Sequence, residues 1–510
     1  MFIKKGKVAF REYQNSIFES AKDKNTLVVL PTGLGKTVIS ALVIDYRLEK
    51  FPGSKALFLA PTKPLINQHR RTFDHISELS GDVVSGTVSK ENRKRIYETS
   101  QIIFATPQTI ENDMEKKVID LREFSVIVID EAHHAVGNYA YVKIVSEYVY
   151  RAGNPLILGL TASPASDSDK IRQICNNLRI SNVEIRSDED IDVRPYIKSK
   201  MIEEVRVDVS ESLKNLISSL DAVIKSNIDD LQKAGFYKDT PRNRITRVSV
   251  LMLQKSLQKQ MISGKRSFYT IRGIILASKL MKLYHAYNLL STQSVESFVN
   301  FTAKIMEGKT KSDKEIASNS GFLKVCEDAE NMLKNGDEHP KLGKLREILE
   351  KEFDKEQKAI IFTQYRDTVD VIYNAIKGVK GVNAVKFVGQ GKGGLSQKEQ
   401  VNIIKDFEAG VYNVLVSTSV SEEGMSIKGV DVAVFYETVP SAIRSIQRRG
   451  RVGRFDAGRI FILITKDTSD EGYYWVSKRK ESKMKKIIKN IKENPETLRN
   501  DGTLNFFINR

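Results

Sequence analysis

The chain has 510 residues, 41% of them hydrophobic, and a formal net charge of +17. That length allows about three domains at roughly 150 residues each, and so basic a balance points to a polyanionic partner, nucleic acid foremost. Two cysteines, Cys175 and Cys326, argue against a disulfide framework or a cysteine metal cluster; the N-terminus lacks the apolar core of a signal peptide, no uncharged apolar run reaches the ~18 residues of a membrane span, and a cytoplasmic location is expected. In chain order, the first third alternates short, wholly apolar runs with helical patterns: "TLVVLP", "ALFLAP", "QIIFATP", "FSVIVIDE" and "PLILGLTAS". Runs apolar on both faces predict parallel strands covered by helices, and ligands gather at the carboxyl ends of such strands. Residues 200–335 change character, with long amphipathic stretches such as "ESLKNLISSLDAVIKSNIDDLQKAG" that predict helices. Within them, "EGKTKSDKEIASNS" at 307–320 reads as a polar loop. After about residue 340 the first pattern returns in "KAIIFTQ", "VNAVKFVG", "NVLVSTS", "VAVFYE" and "RIFILIT". The expectation is an α/β fold of two similar parallel-sheet domains, 1–198 and 336–490, around a helical, DNA-binding insert at 199–335, with a tail at 491–510.

"PTGLGKT", Pro31 to Thr37, stands between the first apolar run and a helical pattern. A small glycine-bearing loop at a helix N-terminus turns successive N–H groups inward and favours phosphate. Thr32, Gly33, Gly35 and Lys36 are then candidate nucleotide contacts, with Lys36 reaching the β- and γ-phosphates and the Thr37 hydroxyl holding Mg²⁺. Leu30 stands where the full P-loop pattern has its first glycine.

"VIVIDEAHHA" places Asp130, Glu131 and His133 just past a buried strand. Asp130 is the candidate Mg²⁺ ligand opposite Thr37, and Glu131 the group that orients or deprotonates the attacking water. "IQRRGRVGR", Ile446 to Arg454, adds arginines among glycines late in the second α/β unit. A guanidinium reaching across a cleft neutralises γ-phosphate charge and makes hydrolysis conditional on domain closure.

The ordered set "REYQ" (11–14), "PTGLGKT", "APTKPLINQH" (60–69), "ATPQT" (105–109), "IDEAHH", "LTASP" (160–164), "IIFTQYRDT" (360–368), "VSTSVSEEGMSI" (416–427) and "SIQRRGRVGR" (445–454) resembles the motifs of superfamily-two helicases. Within that superfamily, "KFVGQ…GLSQKEQ", "ETVPSAIRSIQRRGRVGR" and "YYWVSKRKESKM" resemble the archaeal Hef-type fork helicases and their Fanconi anaemia M-type relatives. The resemblance implies two RecA-like domains and an ATP- and Mg²⁺-dependent motor that unwinds or remodels forked DNA in the 3′ to 5′ direction. It implies adenine recognition by Gln14 with Arg11, and a nucleotide contact at Gly424. Gln447 would help place the water, and Arg451 and Arg454 would be arginine fingers, with Arg448 a further candidate. Thr62, Lys63, Thr106, Thr418 and Ser419 would touch the nucleic-acid backbone, and His133, Thr161 and Ser163 would couple the two sites. Ser426 stands where many relatives carry Asp, and no Glu-Arg-Lys nuclease cluster follows the motor, so cutting would fall to a separate nuclease subunit or to a segment removed from this sequence.

From Thr240 to Val295 there is no Asp or Glu but ten cations, among them Arg242, Arg244, Arg247 and Lys255. Solvated faces usually mix signs, so phosphate contact is the expectation here. Phe268 and Tyr269 read as core residues, with a stacking role as the alternative. "SKRKESKMKKIIKN" reads as a second basic helix facing phosphate or solvent, and "NDGTLNFF" (500–507) as a packed cap or a sliding-clamp peptide. The remaining histidines, His69 and His75 included, read as structural. Two other functions share some of these features: a double-stranded-RNA-directed ATPase, and a DNA-binding scaffold switched by nucleotide.

Overall fold

The computed structural model describes residues 3–4, 10–162, 164, 167–196, 201–264, 266–353, 356–389, 394–418, 427, 430–438 and 458–493. The apolar runs become strands for the reason their composition gives: all but the one at Ala384–Phe387, which is only partly buried, are buried on both faces. The first sheet contains β1 (Thr26–Val29), β2 (Lys55–Leu59), β3 (Gly81–Val84), β4 (Ile102–Ala105), β5 (Phe124–Ile129), β6 (Ile157–Thr161) and β7 (Asn182–Ile185), all parallel, in the order β3-β4-β2-β5-β6-β1-β7. The helices α1 (Glu12–Ala21), α2 (Lys36–Lys50), α3 (Lys63–Ile76), α4 (Lys90–Thr99), α5 (Pro107–Glu115), α6 (Ala140–Arg151) and α7 (Ser168–Asn177) cover it. One face packs Leu27, Ile127 and Ile129 against Tyr141 and Ile144; the other packs Val28, Phe58 and Leu160 against Tyr13 and Ile39. Full burial of each such side chain is worth about 1.5–3 kcal/mol.

The chain then crosses to the second sheet before any insert helix begins. Met201–Val207 forms β8, an edge strand paired in parallel with the strand at Arg459–Thr465. The expected insert boundary at 199 therefore takes a correction: the insert's first helix starts at Glu211. "MIEEVRV" mixes apolar and charged residues and is exposed over most of its length, the pattern of a sheet edge rather than a buried run. The other two strands absent from the sequence reading, β3 and β7, also stand at sheet edges.

The insert comprises α8 (Glu211–Lys233), α9 (Arg247–Ile262), α10 (Phe268–Thr292), α11 (Val295–Met306), α12 (Lys311–Ala317) and α13 (Ser320–Lys334), around a core that includes Leu220, Leu280, Leu283, Phe298 and Phe322. The stretch 307–320, expected as a loop, contains α12. Thr310 and Asp313 cap its start reciprocally, a short-range signal that the polarity of the segment masks.

The second sheet completes with β9 (Ala359–Phe362), β10 (Ala384–Phe387), β11 (Val414–Ser417), β12 (Val432–Phe435) and β13 (Arg459–Thr465), in the order β10-β11-β9-β12-β13-β8, all parallel. Helices α14 (Pro340–Glu352), α15 (Arg366–Ile376) and α16 (Gln397–Glu408) accompany it. The last helix, α17 (Ser469–Glu493), leaves β13 and reaches the first domain, where Ile487, Ile488 and Ile491 join the core beneath Ile171 and Ile185. The basic run "SKRKESKMKKIIKN" thus turns an apolar edge inward and ties the two sheet domains together, and its helix runs past the expected boundary at 490.

A buried polar seam joins the insert to the second sheet. Lys341 and Asp470 form an ion pair, both fully buried, and Lys341 Nζ also donates to the Thr292 carbonyl at 2.9 Å. The Tyr436 hydroxyl donates to the Gln293 carbonyl at 2.6 Å, and Thr438 Oγ to the Asp470 carbonyl at 2.6 Å. Burial raises the Asp470 carboxyl above its usual range even with Lys341 beside it. The C-terminal end of α10 is thereby fixed to the strand ends of the second sheet.

Candidate nucleotide site and nucleic-acid track

β1, β6 and β5 are neighbours, so the loops at their carboxyl ends meet. The first of these is 30–35, leading into α2. Gly33 and Gly35 take φ of +86° and +78°, which aims the loop's N–H groups at the start of α2 and is open chiefly to glycine. A side chain at Gly35 would also collide: a Cβ there falls 2.5 Å from Gln14 Nε2. That contact marks how tightly α1 is bound to the loop. Gln14 Nε2 and the Tyr13 hydroxyl both donate to the Leu34 carbonyl, at 3.2 and 2.7 Å, while Arg11 Nη1 donates to Tyr13 and its guanidinium lies over the Tyr196 ring. Gln14 accepts from the Arg11 N–H at 3.1 Å, so the pair expected to read adenine is organised around the loop itself. Lys36 Nζ donates to the Leu30 carbonyl at 3.1 Å. Thr32 lies in the same loop, half-buried.

The second loop follows β5. Asp130 is buried, its N–H donates to the Leu59 carbonyl, and its own carbonyl accepts from the buried Tyr141 hydroxyl at 2.8 Å. Burial first, then nearby Tyr139, Asp130 and Glu131, keep that phenol protonated. Glu131 has φ of +49°, an unusual conformation for a residue with a Cβ and the kind of strain that persists at working sites. The third loop follows β6. His133 Nδ1 lies 3.3 Å from Thr161 Oγ and 3.3 Å from Glu131 Oε2, so the histidine joins the carboxylate to the end of β6. Ser163 lies outside the described residues.

The sequence reading missed one member of this cluster. His69, on α3, is buried between the two expected Mg²⁺ ligands: Nε2 lies 2.7 Å from Asp130 Oδ2 and Nδ1 lies 3.1 Å from Thr37 Oγ, with the ring tilted against Phe58. Its place is set by pairings across 32 and 61 residues of chain, which no local pattern carries. Thr37 and Asp130 offer hydroxyl and carboxylate oxygens, the hard donors that suit Mg²⁺, and Asp130 Oδ1 makes no hydrogen bond among the described residues. The donor set fits the ion. Among the described residues no cluster of three or more His, Cys, Asp or Glu forms a metal site of its own, and no helix is long and apolar enough to cross a membrane.

Farther along the same sheet edge, Thr62 and Thr106 stand at the N-termini of α3 and α5, after the neighbouring strands β2 and β4. Helix N-termini attract phosphate. Thr62 Oγ is buried with no hydrogen-bond partner among the described residues, Lys63 Nζ donates to Thr87 Oγ at 2.8 Å, and Thr106 Oγ lies 2.8 Å from Thr109 Oγ. In the second sheet Thr418 follows β11, with its N–H donating to the Phe387 carbonyl. Ser419, Gly424, Ser426, Gln447, Arg448, Arg451, Arg454 and the 500–507 segment lie outside the described residues.

In the insert, the ten-cation stretch divides in two. Arg272 and Lys279 face Glu315, Lys282 pairs with Asp313, and Arg242 pairs with Asp229. Acids from α8 and from the unexpected α12 therefore neutralise part of the charge that looked unbalanced in sequence. Arg244, Arg247, Lys255, Lys259 and Arg266 are exposed and make no ion pair among the described residues. Val248, Met252, Lys255, Lys259 and Ile262 recur at the spacing of one helix face, and all are exposed. Phe268, expected in the core, is 86% exposed at the start of α10, while Tyr269 stacks on Phe236 with ring centroids 4.4 Å apart. The glycine-turned corner between α9 and α10 places Phe268 at the end of the helix pair, beyond the reach of the core.

Residues 7–166 match the family described as "Type III restriction enzyme, res subunit", 340–456 "Helicase conserved C-terminal domain", and 211–333 "Putative ATP-dependent RNA helicase, helical bundle". The crystal structure of the Pyrococcus furiosus Hef helicase domain superposes with a TM-score of 0.69 at 41% identity, covering 94% of this chain and 100% of that one. The chain belongs to the Hef-type superfamily 2 helicases. A "Putative ATP-dependent RNA helicase" of Methanocaldococcus jannaschii is 40% identical over 94% of this chain, and an "ATP-dependent DNA helicase" of Schizosaccharomyces pombe is 32% identical over 90%. This Hef-type chain spans 61% and 57% of the length of those two relatives.

Proposed function

We propose that the protein is an ATP-dependent, Mg²⁺-requiring DNA helicase or translocase that unwinds or remodels forked and branched DNA, in repair and fork restart, moving 3′ to 5′ as its family resemblance implies. The observation that carries it is the convergence, at one sheet edge, of the 30–37 loop, the Asp130–Glu131 pair and Thr161, with Thr62 and Thr106 next along. Gly33, Gly35 and the first turn of α2 cradle phosphate through N–H groups, and Lys36 neutralises it. Thr37 and Asp130 hold Mg²⁺, which when bound draws charge off the phosphate oxygens. Glu131 orients the attacking water, and His133 relays the state of that carboxylate to Thr161. The arginines at 451 and 454 are assigned as fingers on resemblance alone.

The DNA reading draws on the DNA-helicase name of the S. pombe relative and on the exposed cations of α9, without an ion pair among the described residues, beside bare apolar residues, a mixture that suits phosphate and base faces together. The RNA-helicase names of the M. jannaschii relative and the helical-bundle family favour the rival substrate. Steady-state ATP turnover with forked DNA, double-stranded RNA and no polymer separates them. Stimulation greatest with the fork is expected. Greater stimulation by duplex RNA overturns the substrate, and no turnover under any condition leaves a nucleotide-switched scaffold. A cytoplasmic location, a sliding clamp and a separate nuclease subunit complete the proposal.

A further inference from the structure

His69 has no part in the P-loop or in the carboxylate pair, yet it touches both. A carboxylate oxygen only accepts, so the ring nitrogen 2.7 Å from Asp130 Oδ2 is the donor. The other ring nitrogen, Nδ1, lies 3.1 Å from the Thr37 hydroxyl, so the same ring holds both side chains. The consequence lies in what remains. With either atom as the donor in that contact, Thr37 Oγ keeps a lone pair for a cation, and Asp130 keeps Oδ1. One buried ring thus fixes the orientation of two ligand oxygens that come from different loops. The ring itself is held against Phe58 of β2, with centroids 4.5 Å apart, so it has little freedom to turn away.

We infer that His69 is the positioning residue of the metal site, holding Thr37 and Asp130 in the hydrogen-bonded forms that leave their oxygens open to Mg²⁺. The inference rests on reading Thr37 and Asp130 as the Mg²⁺ ligands. The helix that carries the ring is α3, which begins at Lys63, six residues and about 9 Å of helix rise earlier. The metal ligands and the N-terminus of Thr62 and Lys63 therefore hang on one rigid element.

The test is binding rather than turnover. With the full chain and a fluorescent N-methylanthraniloyl-ADP, Mg²⁺ is titrated from an EDTA-treated start, and the Mg²⁺ concentration giving half-maximal nucleotide binding is read. Loss of a partner that orients metal ligands typically costs 10- to 100-fold in metal affinity, so His69→Leu should raise that midpoint by about 10- to 100-fold while binding in EDTA stays within about twofold. His69→Gln, whose amide both donates and accepts, should restore the midpoint to within about threefold of wild type. Should the Leu variant fail to fold, His69→Met fills the same space against Phe58 and takes its place in the titration. An unshifted midpoint in the apolar variant overturns the inference, as does a Gln variant shifted as far as the apolar one. A wild-type chain that binds the nucleotide with no Mg²⁺ dependence removes the ligand reading itself, which is a different result from a Mg²⁺-dependent wild type with unshifted variants.

Discussion

Tyr13, Gln14, Lys36, Thr37, His69, Asp130, His133 and Thr161, at the carboxyl ends of the first sheet's strands, all hydrogen-bond to one another or to nearby backbone. On α9 of the insert, Arg244 (just before the helix), Arg247, Lys255 and Lys259 have no carboxylate partner among the described residues, and Val248, Met252 and Ile262 beside them are bare. The first region is a preorganised pocket, where position carries the chemistry and small displacements are expensive. The second is a surface whose partner lies outside the chain, where charge sets affinity and exact position matters less. Substitutions in the two regions should therefore fail differently: those at the strand ends in rate, those on the insert in binding and its salt dependence.

The largest expected effect breaks the first region alone. Glu131→Gln keeps the shape of the side chain and the contact with His133 but removes the carboxylate that orients water. Turnover should fall by on the order of 10²-fold or more, while nucleotide and fork affinity stay near wild type. Stopped steady-state ATPase with retained fork binding in a filter or anisotropy assay is the expected pair of readings. Turnover close to wild type would take Glu131 out of the catalytic role.

The matching change on the insert is Arg244→Gln, Arg247→Gln and Lys255→Gln together. Each lost phosphate contact lowers the slope of log affinity against log salt by about 0.9 on duplex DNA, so the triple variant should lose about 2.7 from that slope. ATP turnover at saturating single-stranded DNA should hardly change. Adding Arg242→Gln should contribute less, because Arg242 already pairs with Asp229 and its removal frees an acid rather than only deleting a cation. An unchanged slope in the triple variant would reduce this charge to a solvated face.

The same contrast explains what the sequence made legible. β1, β2, β4, β5 and β6, and the central strands of the second sheet, were readable because burial on both faces demands an unbroken apolar run. β3, β7 and β8 were not, since an edge strand is half wet and its composition mixes; the fourth edge strand, β10, was read because "VNAVKFVG" keeps enough apolar residues. The 31–37 loop and the Asp130–Glu131 pair were readable because their chemistry is local in sequence. His69 was not, because its meaning depends on two partners brought to it by α2 and by the loop after β5. On the insert, the run of cations was plain, but its partial neutralisation was not: Asp313 and Glu315 lie in a segment whose polarity concealed α12. Phe268 shows the reverse failure, an apolar residue assigned inward by type and turned outward by the end of its helix.

The smallest expected effect tests whether the seam between these regions is as rigid as its burial suggests. His339 is fully buried at the start of α14, its Nε2 donating to the Ser291 carbonyl and its Nδ1 accepting from the Lys341 N–H. Burial, and then the Lys341 charge, depress its pKa to about 3. In the unfolded chain it returns to about 6.5. Between those values the unfolded chain binds the extra proton, so this histidine makes stability fall as pH drops below about 6.5 and has no effect above it. At about 1.4 kcal/mol per pH unit, the loss between pH 7 and pH 5 is about 2 kcal/mol. Glu338 and Asp470, both raised by burial, act with the opposite sign, favouring the fold at low pH. Comparison with His339→Gln therefore isolates the histidine: the variant's urea-unfolding midpoint should decline less steeply from pH 7 to pH 5, while its fork affinity at pH 7 matches wild type. Parallel declines in the two proteins would mean that water reaches this ring in the folded state, and that the insert is hinged on the second sheet rather than fixed to it.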